Sequence, residues 1–161
     1  TNTFYHQQPE LDIMSPSGDF TELDYLISSD VFEHTPPPVD IPFKNASKLL
    51  KKGGTFILSV PTAQEYVEHF PELNKFEVIE TKAGYVLANA TSSGALQIRS
   101  DLTFHGGPGS TLEMRIFSEE KVNSLLQANG FGNAIRVNTL IPEYGIYPIK
   151  GLSSLWVVTR E

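Results

Sequence analysis

A chain of 161 residues with 40 % hydrophobic content can bury one core. Its charge, 12 Lys and Arg against 19 Asp and Glu for a net −7, leaves no basic stripe for a phosphate backbone beyond the small group Lys48, Lys51 and Lys52, so nucleic acid is not an expected partner. The absence of cysteine excludes disulfides, thiolate nucleophiles and zinc–thiolate sites and fits a reducing, cytoplasmic address. No apolar run approaches the roughly 20 residues of a membrane span, and TNTFYHQQPELD at the N-terminus lacks a charged-then-apolar signal layout, so no membrane partner is expected. The first residue is Thr1 rather than Met, and a segment upstream of it is expected.

Leu23 to Ser28 is a short apolar run that ends in Ser29-Asp30-Val31-Phe32-Glu33-His34 and the turn formers Thr35-Pro36-Pro37-Pro38, which predicts a buried strand followed by a loop. Asp40 is placed to cap a helix that tolerates Pro42 in its first turn. Phe43, Ala46, Leu49 and Leu50 fall on one face of it, Lys48, Lys51 and Lys52 suit its C-terminal dipole, and Gly53-Gly54 is the expected stop. Thr55 to Val60 is a second continuous apolar strand. Strand, helix, strand over 23–60, with strands apolar on both faces, predicts adjacent parallel strands joined by a crossover and helices on both sides of the sheet.

From Phe76 to Phe117 the pattern changes to short alternating segments, FEVIET, GYVLANAT, ALQIRSDLTF and LEMRIF, separated by glycine-containing turns. This predicts antiparallel hairpins inserted after the second parallel strand and placed at its carboxyl edge. Ser118 caps a further helix with Glu119 and Glu120 in its first turn, Val122, Leu125 and Leu126 on its apolar face and Gly130 as a stop. A strand near Ala134–Ile141, a loop from Pro142 to Gly151 and a terminal strand Ser154–Thr159 complete the reading.

Three stretches in this order carry a resemblance: Leu23 to His34, Leu49-Leu50-Lys51-Lys52-Gly53-Gly54 through Pro61, and Phe117-Ser118-Glu119-Glu120 through Gly130-Phe131. Together they resemble class I S-adenosylmethionine-dependent methyltransferases of the small-molecule and sugar-modifying kind. The first is similar to the family's fourth strand and the loop after it. The second is similar to its leucine-lysine-proline-glycine-glycine turn and fifth strand, with Lys52 in place of proline, and the third to its last helix. The resemblance implies an α/β fold: a partial doubly wound, Rossmann-like sheet over 1–161 with the β-hairpin insertion at 76–117. It implies S-adenosylmethionine as cofactor. Leu11-Asp12-Ile13 stands where the family's adenine-contacting acidic residue would fall, an exposed Asp at a strand end being the alternative. The family's glycine-rich turn and ribose-holding carboxylate have no counterpart here, and Gly106-Gly107-Pro108-Gly109 cannot substitute, because a cofactor-cradling glycine loop joins a parallel strand to a helix N-terminus.

Methyl transfer from a sulfonium needs a positioned acceptor and, for a hydroxyl or amine, a base. His34, at the carboxyl edge after the fourth strand, is the expected catalytic residue, either as base or as the group that orients the acceptor. Its alternative reading is a loop histidine contacting a helix end. Ser29, Asp30 and Val31 line the same crevice on the cofactor side with Asp12 and Ile13, or cap the next turn. Tyr66, Glu68 and His69 follow the fifth strand as an acceptor-side wall, and no metal is expected there because adjacent Glu68 and His69 diverge. His105, Glu113 and Arg115 are the remaining substrate-side residues, with a surface ion pair between Glu113 and Arg115 as the plainer explanation.

The expected function is methyl transfer to a small polar acceptor, O- or N-, with the hairpins as the lid that selects it and this chain by itself binding the cofactor weakly or not at all. The alternative is a non-catalytic interaction module that forms a homodimer through an exposed sheet edge. A nicotinamide oxidoreductase is a third reading, since fold alone does not choose the chemistry.

Overall fold

The computed structural model describes residues 11–16, 20–144 and 153–161. Strand β1 (Leu23–Ser29) and strand β2 (Leu50–Ala63) run parallel, with Leu26 opposite Phe56 and Ile27 opposite Ile57, and helix α1 (Asp40–Leu49) connects them. This is the strand-helix-strand unit that the apolar runs predict.

Two local expectations are corrected. Val39, not Asp40, occupies the N-cap, and no side chain caps the helix; Asp40 is the first helical residue and acts only through its charge at the dipole's positive end. Gly53-Gly54 does not stop the helix. The chain turns extended at Leu50, whose amide donates to the Ala46 carbonyl, and the glycines lie inside β2. They are needed there because the pairing with β1 slips between Leu23 and Tyr25. Gly53 takes φ +81, and a Cβ on Gly54 would stand 2.8 Å from the Leu23 carbonyl oxygen.

Beyond β2 come β3 (Val67–Glu68), β4 (Lys75–Thr81), β5 (Gly84–Ala90), β6 (Leu96–Arg99), β7 (Phe104–His105), β8 (Thr111–Leu112) and β9 (Arg115–Ser118). Strands β4, β5 and β6 form an antiparallel sheet, and β7 and β8 a small hairpin. The expectation for LEMRIF needs correction: only its Leu112 end belongs to the hairpin. Its second half is β9, which pairs in parallel with the end of β2 and antiparallel with β3. Burial decides this, because Phe117 has no exposed surface and packs edge-on against Phe43.

Helix α2 (Glu119–Ala128) starts as expected, the Ser118 side chain accepting from the Lys121 amide. Strand β11 (Ser153–Thr159) lies antiparallel to β2, and β10 (Ile135–Val137), shorter than the predicted 134–141, pairs with β11. The loop predicted from Pro142 to Gly151 lies partly outside the described residues.

The sheet is not covered alike on its two faces. Leu26, Phe56, Leu58, Val60, Trp156 and Val158 form one core with Phe43, Ala46 and Leu49 of α1 and Val122, Leu125 and Leu126 of α2. The alternate residues, Tyr25, Ile27, Ile57, Leu155, Val157 and Ile135, are half-exposed or exposed, Tyr25 at 68 % and both Ile27 and Ile135 at 69 %. The expectation of helices on both sides therefore fails among the described residues: both α-helices share one face. A second core, Phe70, Leu87, Leu112 and Met114, holds the hairpin region to the rest. Among the described residues, no helix is long and apolar enough to cross a membrane.

Candidate active site

At the carboxyl end of β1 the chain makes a sharp exit. Asp30 adopts φ 50 while its amide still donates to the Ser59 carbonyl of β2, and Phe32–His34 close a single 3-10 turn. Phe32 fixes that turn, buried edge-on against Phe43 at 5.0 Å between ring centroids. Glu33 is fully buried, and among the described residues neither of its carboxylate oxygens has a hydrogen-bond partner. His34 places Nδ1 2.8 Å from the Leu112 carbonyl oxygen, so Nδ1 carries the proton and the lone pair is on Nε2, 3.5 Å from Glu33 Oε1.

The hairpin supplies the facing groups. His105, on β7, stacks edge-on against His34 at 4.7 Å between centroids. Glu113, in the link from β8 to β9, accepts from two imidazoles, His105 Nε2 at 2.8 Å and His69 Nε2 at 3.0 Å. Backbone bonds hold the link: the Glu113 amide donates to Thr103, the Met114 amide to the Glu33 carbonyl, and the His69 amide to Met114. Three histidines and two glutamates from separate segments thus meet at one place.

A second cluster adjoins it. Arg115 is fully buried; its Nη1 donates to the Phe32 carbonyl at 2.6 Å and the Thr35 hydroxyl at 2.9 Å, and its Nε to Glu68 Oε2 at 2.9 Å. The Tyr66 hydroxyl donates to the same Glu68 oxygen. The expected surface pair between Glu113 and Arg115 is therefore corrected: both are buried, and each has a different partner. Glu68 and His69 diverge to these two clusters, as adjacent residues must.

Burial sets the protonation states. It pushes the Glu33 carboxyl up to about 8, with the charges of Asp30 and Glu113 pushing the same way, so the acid form predominates at neutral pH. Burial lowers His34, opposed by its bond to Leu112, and the imidazole is neutral. Tyr66 is raised, first by burial and then by its bond to Glu68.

Of the residues read as the cofactor side, Val31 and Asp30 adjoin the first cluster, the Val31 carbonyl accepting from the His34 amide and the Asp30 charge acting on Glu33, whereas Asp12, Ile13 and Ser29 make their contacts elsewhere. Asp12 Oδ1 accepts from the Met14 amide, and the Ile13 carbonyl accepts from Asn45 of α1. The Ser29 hydroxyl meets that of Ser59 at 3.1 Å, exposed at the strand ends, and Val31 packs against the main core. The sequence reading missed Glu33. The available clue was its place beside His34, directly after a strand, where a carboxylate in an otherwise apolar turn has no obvious partner. A groove of about 470 Å³ opens among Tyr85, Val86, Leu102, Phe104, Gly107 and Pro108, next in the chain to His105.

No protein-family model matches this chain, and no curated protein matches it. Solved structures do. It is similar to an S-adenosylmethionine-dependent methyltransferase from Clostridium acetobutylicum, with a TM-score of 0.51 and 14 % identity over 92 % of this chain and 62 % of that one. It is similar to the CcbJ methyltransferase from Streptomyces caelestis, at 0.51 and 12 % identity over 93 % of this chain and 66 % of that one. A third is the CurJ carbon methyltransferase, at 0.52 and 13 % identity over 93 % of this chain and 34 % of that one. The chain thus spans from a third to just under two thirds of their lengths. Identity this low speaks to architecture, and with the parallel β1–β2 pair, its crossover helix and the antiparallel closing strand β11, the chain has the α/β fold of the class I S-adenosylmethionine-dependent methyltransferases.

Proposed function

We propose that this chain supplies the acceptor-side part of a domain that transfers the methyl group of S-adenosylmethionine to a small polar O- or N-acceptor. The observation that carries the reading is the convergence of His34, His105, Glu113 and His69 at the carboxyl ends of β1 and β2, the edge where open α/β sheets bind ligands.

The residues fit one wall of a cofactor cleft. Ser29 and Asp30 are exposed at the strand ends beside Val31, and Asp12 and Ile13 lie on a turn tied to α1, so these five would hold the adenosine and methionine parts. Among the described residues, the glycines of the turn between β7 and β8 do not supply the opposite wall. Cβ atoms on Gly106 and Gly109 would run into Ser110 and Tyr85, which marks a packed turn rather than a cradle. Bound, S-adenosylmethionine supplies an electrophilic methyl group and a sulfide leaving group. His34 Nε2, its lone pair fixed by the Nδ1 bond to Leu112, takes the acceptor's proton or orients the acceptor. Glu113 holds His105 and His69 in place, and Arg115 reaches the acceptor side only through Glu68 and Tyr66. His105 covers His34, so admitting the acceptor requires the β7–β8 hairpin to move.

Transfer of labelled methyl from S-adenosylmethionine to a panel of small alcohols, phenols and amines tests this. Methylated product that falls about 10²- to 10⁴-fold with His34→Ala supports it. Product formation indifferent to His34, or none with any acceptor while the cofactor is bound, contradicts it. The exposed Tyr25, Ile27 and Ile135 favour a second reading, an interaction module whose open sheet face meets another copy. Sedimentation at twice the chain mass with no cofactor binding selects that reading.

A further inference from the structure

We propose that Glu33, His34 and His105 form a binding site for a borderline divalent transition-metal ion such as Zn²⁺, with Glu113 as the outer partner that orients His105. Each of the three offers a ligand atom, and these atoms lie within 4.8 Å of one another. Tetrahedral ligands about 2.1 Å from a zinc ion stand roughly 3.4 Å apart, so the cage closes by about 1.4 Å at most. His105 can supply that movement, since its side chain is 38 % exposed on a two-residue hairpin strand.

Two observations beyond proximity point to a cation. The first is Glu33, which is fully buried with both oxygens unbonded and has only His34, at 3.5 Å, within ion-pair reach among the described residues. Buried carboxyls are otherwise hydrogen bonded, and a cation is the partner that would satisfy this one. The second is how the imidazoles are held. A metal-bound histidine donates its other ring N–H to a backbone carbonyl or a carboxylate. His34 donates Nδ1–H to the Leu112 carbonyl and His105 engages Glu113 through Nε2, which leaves Nε2 of the first and Nδ1 of the second as the lone-pair atoms. Both second partners come from the same β8–β9 stretch.

Two imidazoles and one carboxylate suit zinc, cobalt or ferrous iron better than the oxygen-only cages of calcium and magnesium or the thiolate sites of copper(I). The site is distinct from the Glu68–His69 pair, whose side chains diverge to Arg115 and Glu113. An ion on His34 Nε2 takes the lone pair that the methyl-transfer reading uses, so the two uses of His34 exclude each other, and metal uptake is measured without reference to methyl transfer.

The test uses the chain stripped with chelator, then dialysed against Zn²⁺ alone and against Co²⁺ alone, with elemental analysis and the visible absorption of bound cobalt as readouts. One equivalent is expected, with cobalt bands typical of imidazole ligation. His105→Ala should weaken binding by about 100-fold or more and Glu113→Gln by about 10- to 100-fold. His105 is half-exposed, so its variant should fold, and far-ultraviolet circular dichroism checks that; Glu33→Gln, which keeps the volume, should also lose the ion. No stoichiometric uptake of either ion, or uptake indifferent to His105, overturns the proposal.

Discussion

Replacing Arg115 by Met removes the cation that ties the β1 exit turn to β9 and leaves the rest of the chain chemically unchanged. In the wild type the guanidinium, with no exposed surface, satisfies the Phe32 carbonyl, the Thr35 hydroxyl and the Glu68 carboxylate. Removing one partner of a buried ion pair costs about 3 to 5 kcal/mol, because the other charge is left uncompensated. Here Glu68 keeps its bond from Tyr66, and the Phe32 carbonyl keeps one from the Thr35 hydroxyl at 2.8 Å, which places the cost near the lower end, about 3 kcal/mol. For a chain of this size that corresponds to a fall in Tm of about 6 to 12 °C. Adding Glu68→Gln removes the stranded charge, and the double variant should recover about 1 to 2 kcal/mol relative to Arg115→Met alone. Urea denaturation of the wild type, both single variants and the double variant measures this, with unchanged m-values as the check on comparability. A loss below about 0.5 kcal/mol for Arg115→Met, or a double variant no more stable than it, refutes the view of this residue as the brace beneath the site.

The two faces of the sheet should respond differently to substitution. Ile27→Lys on the open face should change stability by less than about 0.5 kcal/mol, whereas Phe56→Ala on the helix-covered face should cost about 3 to 5 kcal/mol in the same assay. Ser118→Ala should cost about 0.5 to 2 kcal/mol, since the hydroxyl caps the Lys121 amide of α2; no measurable change would place the cap elsewhere. In chelator-treated protein, stability should decline as pH rises from 4.5 to about 8, because the folded state there holds a proton on Glu33 that the unfolded chain has released. That shift corresponds to an order of about 4 to 5 kcal/mol in full, and Glu33→Gln should flatten the decline; an unchanged slope in the variant contradicts the assignment.

The parallel pair and its crossover were legible because Leu23–Ser28 and Thr55–Val60 are continuous apolar runs separated by one helical period, a pattern few other arrangements accommodate. The α2 boundary was legible from Ser118 and Gly130. The helix stop at Gly53-Gly54 misled because glycine serves both to end helices and to let a strand bulge, and only the neighbouring Leu23 carbonyl decides which. LEMRIF misled in the same way: alternation says strand but not which sheet, and the choice belongs to Phe117 packing on Phe43. The open face was illegible from β1 alone, since Tyr25 and Ile27 read as buried whether or not an element covers them. At the site, residue types drew attention to His34, His69, His105 and Glu113, and the structure brings those four together through contacts far apart in sequence. Glu33 escaped because its importance lies in what does not bond to it.

As proposed, the carboxyl edge of β1 and β2 faces the cofactor with one wall. Losing the two or three hydrogen bonds of a glycine turn and ribose carboxylate that the described residues do not supply costs about 3 to 6 kcal/mol, which moves a micromolar site to the millimolar range. Backbone amide chemical shifts of the isotope-labelled chain, followed during titration with S-adenosylmethionine, read both the location and the weakness of such binding. Fast-exchange shifts confined to Asp12, Ile13, Ser29, Asp30, Val31 and their neighbours, with a Kd near or above about 1 mM, are expected. Shifts confined to another region, or none at this edge at cofactor concentrations of several times that Kd, would contradict the proposal.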